Sequence, residues 1–375
     1  MTYSKLNIST PSLIINKNNL LSNINKMNNF SKKNKINIRP HSKSHKMIKI
    51  AKTQLKYGAC GICVATLYEA EKMIENKIKG VLLTTPITNI KDKVRLKNLF
   101  KLSDSFMIVI DNIYSINFLS NIIKPLRKKI NVLVDCDIMY IGKNKISRTG
   151  VRSIKEIISL AKIINQNKYM NFRGITAYAG DIQHINNYNK RSNEAKVRYN
   201  YLKNIIISLK NNNLDPEIIS GGGTGSHELD AKSKLFTELQ PGSYIFNDVE
   251  YNNVSIYKSN NKHFSPALII GTSVISKINK KQYVVDAGLK AISADSNLMP
   301  LPIEPTPIGT KYSFLGDEHG KITLPKNSKI ELSLGDKVYI QPAHCDPTIN
   351  LYDKCLILDE NKSIKTWNID ARGYG

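Results

Sequence analysis

From about residue 34 onward, short apolar runs alternate with stretches in which apolar residues recur every three or four positions. The short runs fit buried strands, and the longer stretches fit helices packed along one face. The pattern predicts strands at 36–38, 61–65, 80–84, 107–110, 131–134, 174–178, 217–220 and 236–239. Between them it predicts helices at 47–57, 68–76, 91–102, 113–123, 154–164 and 190–209. Strands alternating with helices in this number predict an α/β fold, a (β/α)8 TIM barrel. A doubly wound sheet is the alternative, although it usually has fewer strands. Beyond about Tyr251 the rhythm changes: 268–275, 282–285 and 337–340 read as strands, and Gly and Pro become frequent. The expected organisation is an N-terminal segment over 1–20 packed with the β domain, a barrel over 21–250, and a C-terminal, mostly β domain over 251–375. Asn-rich turns at 211–213 and 259–261 read as loops.

Composition narrows the class. A chain of 375 residues, 41% hydrophobic, is long enough for one large domain and a smaller one. No stretch approaches the roughly 18 consecutive apolar residues of a membrane span. The first dozen residues are polar and lack the apolar core of a signal peptide. A soluble, cytoplasmic protein with no membrane partner is therefore expected. Cys60, Cys63, Cys136, Cys345 and Cys355 are few and odd in number, which fits a reducing compartment. Cys60 and Cys63 form a lone CxxC, which reads as two small residues on a buried strand rather than a zinc or redox site. The formal charge of +25 invites a nucleic-acid reading. However, the lysines are scattered, and clusters such as Lys32-Lys33 and Arg127-Lys128-Lys129 are short and without interleaved aromatics. Nucleic acid is not an expected partner, although the charge still draws anionic substrates.

Barrel enzymes carry their chemistry at the C-terminal ends of the strands. There the sequence places RPHSKSHK (39–46), Tyr178-Ala179-Gly180 running on to His184, SGGGTG (220–225) and ELQPGSY (238–244). The two glycine-rich turns follow the seventh and eighth strands, where barrels commonly bind phosphate. Glycine lets backbone N–H groups approach an anion, and the hydroxyls of Ser220, Thr224 and Ser243 add donors. Lys43, near the end of the first strand, suits a Schiff base with an aldehyde cofactor; a surface lysine in a basic loop is the alternative. A phosphate site with an inward lysine points to pyridoxal phosphate. In the β domain, an extended Gln341–Pro347 would put His344 and Asp346 on one face, with Cys345 turned away. That pair suits a divalent cation, Mn2+, Mg2+, Co2+ or Zn2+. The His-x-Asp spacing is by itself a weak motif.

These blocks, together with SRTGV (147–151), VVDAGLKA (284–291), DEHG (317–320) and HCDPTINLYD (344–353), carry a resemblance. The chain resembles the D-threonine aldolase and D-serine dehydratase family, fold-type III pyridoxal-phosphate enzymes with an alanine racemase-like N-terminal barrel. The resemblance runs from Thr10-Pro11 to Ala371-Arg372-Gly373. It implies that Lys43 holds the cofactor covalently, that Arg148 lies close to its phenolic oxygen and Tyr178 near its ring, and that His184 faces the substrate. It implies a phosphate cradle at Gly222, Gly223, Gly242 and Ser243, with Tyr244, and a metal on His344 and Asp346. It further implies a homodimeric lyase that cleaves β-hydroxy-D-amino acids of the D-threonine type to glycine and an aldehyde. Family dehydratases usually present His-x-Cys where this chain has His-x-Asp. A 3-hydroxy-D-aspartate aldolase, a D-serine or 3-hydroxyaspartate dehydratase, and a catalytically silent cofactor carrier are the rival readings; carriers usually lack the second domain. The chain departs from the family over 137–145, where VDCDIMYIGKNKISRTGV replaces a shorter Gly-rich turn. His41 and His45 flank Lys43 in either a structural or a functional role. His227 and His263 read as loop residues, and His319 has no assigned role.

Overall fold

The computed structural model describes residues 3, 6–142, 147–259, 264–361 and 363–374. His263, residues 143–145 of the departure and residues 260–261 of the second Asn-rich turn lie outside them. The chain forms two compact units. One takes Met27–Gly242, Val254–Asn261 and Tyr374–Gly375; the other takes Met1–Lys26, Ser243–Asn253 and Lys262–Gly373.

The second of these units starts the chain with β1 (Ser12–Asn16). The other then lays down β2 (Asn37–Ile38), β3 (Ile62–Val64), β4 (Val81–Leu83), β5 (Met107–Ile110), β6 (Ile130–Asp135), β7 (Met170–Ala177), β8 (Ile218–Gly221) and β9 (Glu238–Leu239). All neighbours are parallel, in the order β2-β9-β8-β7-β6-β5-β4-β3. A parallel bridge between His41 and Cys63 joins the two outer strands, with Cys63 N–H donating to the Pro40 carbonyl at 2.8 Å. The expected (β/α)8 barrel is thus the observed fold. Its interior includes Cys63, Leu82, Met107, Val109, Leu133 and Ile218. The strands are nearly all apolar because helices cover their outer faces. Of the CxxC pair, Cys63 sits on β3 and is buried as expected, whereas Cys60 precedes the strand and is exposed.

Beneath the bridge lies a buried ion pair. Arg39 donates Nε to Glu238 Oε1 and Nη2 to Oε2, each at 2.7 Å, and Nη1 to the Gly80 carbonyl. The two side chains are only 6% and 4% exposed. The fork therefore ties β2 and β9 to the entry of β4.

The other unit adds β10 (Leu268–Asn279), β11 (Gln282–Val285), β12 (Leu301–Glu304), β13 (Lys311–Phe314), β14 (Gly320–Thr323), β15 (Lys337–Gln341), β16 (Lys354–Leu358) and β17 (Ile364–Asn368). They form one nine-stranded sheet with β1, in the order β13-β14-β11-β10-β1-β16-β17, with β15 also on β10 and β12 on β15. Tyr3, Leu6, Ile14, Ile269, Tyr339 and Leu358 pack together against it. Among the described residues no helix is long and apolar enough to cross a membrane.

Removing one partner of a buried, bidentate pair strands the other's charge. Glu238→Ala should therefore cost about 3–5 kcal/mol in urea unfolding. A loss under about 1 kcal/mol, the scale of a surface pair, would show that the fork does not hold the barrel shut.

Candidate active site

Past β2 the chain crosses the bridge at His41 and enters a short 3-10 turn, Ser42–Ser44, with Lys43 at its middle. His41 braces that turn. Its Nδ1 accepts the Lys43 N–H at 3.3 Å, and its Nε2 lies 3.2 Å from Thr84 Oγ1. Thr84 gives its one hydroxyl proton to the Val64 carbonyl at 3.0 Å, so the imidazole is the donor to Thr84. His45 is buried, and its Nδ1 accepts the Met47 N–H at 3.0 Å. Both histidines flanking Lys43 therefore shape the backbone that presents it. The motif's second lysine, Lys46, is buried and donates to the buried Glu69 at 2.8 Å. Lys43 itself is half-buried at the C-terminal end of the barrel.

The glycine-rich turn after β8 is wholly buried and leads into a helix, His227–Ser233. Gly222 has φ +68°, and the Asp230 carboxylate stands where its Cβ would project, so no other residue fits this backbone. Ser226 Oγ and Tyr199 Oη donate to Asp230 at 2.5 and 2.7 Å. Burial nonetheless pushes the Asp230 carboxyl up to about 7. Gln183 spans from the turn after β7: its Nε2 donates to the Ala179 carbonyl at 2.9 Å and to Ser226 Oγ at 2.8 Å, and its Oε1 accepts the Gly225 N–H at 2.9 Å. Thr224 is buried, and its carbonyl accepts His227 Nδ1–H at 2.8 Å while Nε2 accepts from Tyr257 at 2.9 Å. His227, expected in a loop, is the buried first residue of this helix. Ser220 Oγ accepts from Gln240 at 2.8 Å. Gly242 faces His41, whose carbonyl would lie 3.4 Å from an added Cβ.

Arg148 lies with its guanidinium 5.5 Å from the Tyr178 ring centroid. Gly180 permits this approach, because a Cβ there would meet both the guanidinium and the ring. His184 is exposed, just after the turn Gly180–Ile182. Lys43, Arg148, Tyr178, His184, Ser220, Gly222, Gly223, Thr224 and Gly242 thus all follow or end strands of the parallel sheet, on its C-terminal side. An amine, a guanidinium, hydroxyls and glycine backbone form a donor set that fits an anionic aldehyde cofactor.

The remaining candidates belong to the other unit. The extended run expected over 341–347 ends at His344, whose φ of −133° and ψ of 122° are strand-like. Cys345–Ile349 is a helix instead, opened by the buried Asp248 accepting the Cys345 N–H at 2.9 Å. Cys345 is buried, with Sγ donating to Asp346 Oδ1 at 3.3 Å. Ser243 donates its hydroxyl to the same oxygen at 3.0 Å, and Tyr244 is buried against Phe264 with ring centroids 5.6 Å apart. His344 Nδ1 lies 2.6 Å from Asp295 Oδ2. Burial would lower the His344 pKa, but the carboxylates of Asp346, Asp248 and Asp295 together raise it. With Nδ1–H on Asp295, Nε2 keeps a lone pair. An imidazole and a carboxylate fit a divalent cation with open positions. Among the described residues, no group of three or more His, Cys, Asp or Glu side chains forms a cage for a metal ion. His319 is exposed in the turn between β13 and β14.

Residues 15–249 match the family described as alanine racemase, N-terminal domain, and residues 267–358 match the putative serine dehydratase domain. A 3-hydroxy-D-aspartate aldolase of Paracoccus denitrificans is 32% identical over 98% of this chain and 93% of its own. A D-threonine aldolase of an Arthrobacter species is 29% identical over the same shares, 98% and 93%. The crystal structure of the D-threonine aldolase of Filomicrobium marinum superposes with a TM-score of 0.91 at 31% identity, covering 98% of this chain and 96% of that one.

The Asp230 carboxyl is raised on folding, so its contribution to stability is complete below the ordinary carboxylate range and fades as pH rises through about 7. The melting temperature of the wild type should therefore fall between pH 5 and 8 more steeply than that of Asp230→Asn. Parallel curves for the two proteins would show that Asp230 carries no such term.

Proposed function

We propose that this chain, which belongs to the family of D-threonine and 3-hydroxy-D-aspartate aldolases with an alanine racemase-type barrel, is a lyase that cleaves β-hydroxy-D-amino acids to glycine and an aldehyde. The observation that carries this reading is a His-x-Asp pair, His344 and Asp346, in a chain that matches two aldolases over 98% of its length. D-Threonine is the substrate type assigned. The Paracoccus relative favours a second reading of the substrate, 3-hydroxy-D-aspartate, with glyoxylate as the aldehyde.

Pyridoxal phosphate would be held by Lys43 through its amine, and by Ser220, Gly222, Gly223, Thr224, Gly242, Ser243 and Tyr244 at its phosphate. Arg148 and Tyr178 are assigned to its ring. Bound there, it supplies a sink for the electron pair released as the Cα–Cβ bond breaks. His344 and Asp346 would hold Mn2+, Mg2+, Co2+ or Zn2+, which supplies a Lewis acid for the substrate β-hydroxyl. Asp295 keeps the proton on His344 Nδ1, so that Nε2 is the ligand atom. His184 is assigned to take the β-hydroxyl proton on a ring nitrogen, and its exposure lets that proton exchange with water. The protein is assigned to the cytoplasm as a homodimer.

With pyridoxal phosphate and Mn2+, D-threonine should yield glycine and acetaldehyde, and D-serine should yield no pyruvate. Pyruvate or oxaloacetate as main product would replace the aldolase with a dehydratase. Lys43→Ala should lose both turnover and the visible absorption of the bound cofactor. Chelation should stop turnover and leave that absorption in place. Asp346→Ala should lose the cation, and Cys345→Ser should keep it. Asp295→Ala should bind the cation about 10–100-fold more weakly, read by metal titration.

A further inference from the structure

The departure at 137–145 begins with an aspartate whose side chain is fully enclosed, 0% exposed. Asp137 Oδ1 accepts the N–H groups of Met139 and Tyr140, each at 3.1 Å. Its Oδ2 accepts the Ser147 hydroxyl, and Arg152 Nε at 3.3 Å. One carboxylate thus gathers both described ends of the segment. Asp135, the last residue of β6, accepts the hydroxyls of Thr149 and Thr176, each at 2.7 Å. Asp111, just past β5, accepts the Gly150 N–H at 3.1 Å. Val151 then rejoins β6, its N–H donating to the Asp135 carbonyl at 2.8 Å.

The residues on both sides of Arg148 are therefore each fastened by a different aspartate. Yet among the described residues no carboxylate pairs with Arg148 itself. An arginine that pairs with a carboxylate frequently does so in a two-pronged contact. Here the lone pairs of the three aspartates are taken by Ser147, Arg152, Thr149, Thr176 and backbone N–H groups, and Arg148 lies along Tyr178 with its charge uncommitted to an acid. A second tie runs from the same segment: Arg198 packs where a Cβ on Gly142 would stand, and donates Nε to Asp181 at 3.2 Å in the turn that holds Gly180.

We propose that Asp137 is a positioning residue for Arg148: by fastening Ser147 to the end of β6, it fixes where the guanidinium meets an anionic oxygen of the cofactor. This rests on the reading of Arg148 as a cofactor contact. One buried carboxylate, Asp137, then acts as a splint between Met139, Tyr140 and Ser147.

The test is a double-mutant cycle on the holoenzyme, with Asp137→Asn, Arg148→Ala and the double variant. Three readouts are taken: the dissociation constant for pyridoxal phosphate by equilibrium dialysis, kcat and KM, and the pH at which the visible band of the bound cofactor shifts. Asp137→Asn should weaken cofactor binding about tenfold in the wild-type background and add nothing once Arg148 is gone. Its band should shift at a pH displaced toward that of Arg148→Ala. Equal losses in both backgrounds would overturn the proposal, leaving Asp137 a stabiliser of the loop alone. Wild-type cofactor affinity and spectrum in Arg148→Ala would overturn it differently, by removing the premise, and that single variant tells the two failures apart. Should Asp137→Asn fail to fold, Ser147→Ala leaves the carboxylate its other partners and carries the same expectation.

Discussion

Parallel strands pair through evenly spaced bonds, and a barrel of them is closed only if its outermost strands meet. Here β2 spans two residues, Asn37–Ile38, and β9 another two, Glu238–Leu239. So short a ladder supplies little cohesion of its own. The Arg39–Glu238 fork reinforces that ladder, and the His41–Cys63 bridge brings the outermost strands, β2 and β3, together. Lys43 stands two residues past that bridge, and His41 serves both: its backbone completes the sheet and its ring holds the lysine's turn. Placement of the Lys43 amine is thus inseparable from the way the barrel shuts.

Acidic side chains do a disproportionate share of the interior work. Among the described residues Glu69, Asp135, Asp137, Asp230, Glu238 and Asp248 are buried, against only Arg39, Lys46, Arg191 and Arg198 of the far more numerous bases. Most of these carboxylates organise a loop by accepting N–H or hydroxyl donors rather than simply neutralising a cation. A carboxylate has about four lone-pair sites and no proton to place, so one residue can gather several strands of backbone. The bases are left mostly on the surface, and the net charge of +25 is largely a property of that surface. Burial pushes the carboxyls of Asp135, Asp230 and Asp248 up, against the donors that each of them accepts. Asp230 stays high despite two hydroxyls, because burial outweighs them.

The barrel was legible because its strands are apolar runs that nothing interrupts. Met107–Ile110 falls where the pattern puts it, as does Gln282–Val285 in the other unit. The helix Lys17–Asn34 was not legible: it is crowded with Asn, Ser and Lys, and only Leu20, Ile24 and Met27 mark its buried face. β1 escaped notice because five residues, SLIIN, carry no period of their own. The candidate site residues that the sequence could offer are those borne on local motifs: Lys43, Arg148, Tyr178 and the glycine turns. It could not offer Gln183, Asp230, Asp248 and Asp295, since each acts on a partner distant in sequence that only the fold brings near. Asp295 lies 49 positions from His344, with no spacing rule to connect them. The extended reading of 344–346 failed for a related reason. Asp248, which anchors the start of the helix there, is 97 residues away.

β1 sits in its sheet between β10 and β16, antiparallel to one and parallel to the other. Both of its edges are satisfied only by strands from the last third of the chain. During synthesis β1 must therefore wait, with SLIIN unpaired, while the whole barrel sequence is made and can fold behind it. The barrel unit is drawn almost entirely from one continuous stretch, Met27–Gly242, and has no such delay. A nascent chain thus carries an unpaired, apolar, edge-forming segment until β10 is made, and its second edge stays open until β16 follows.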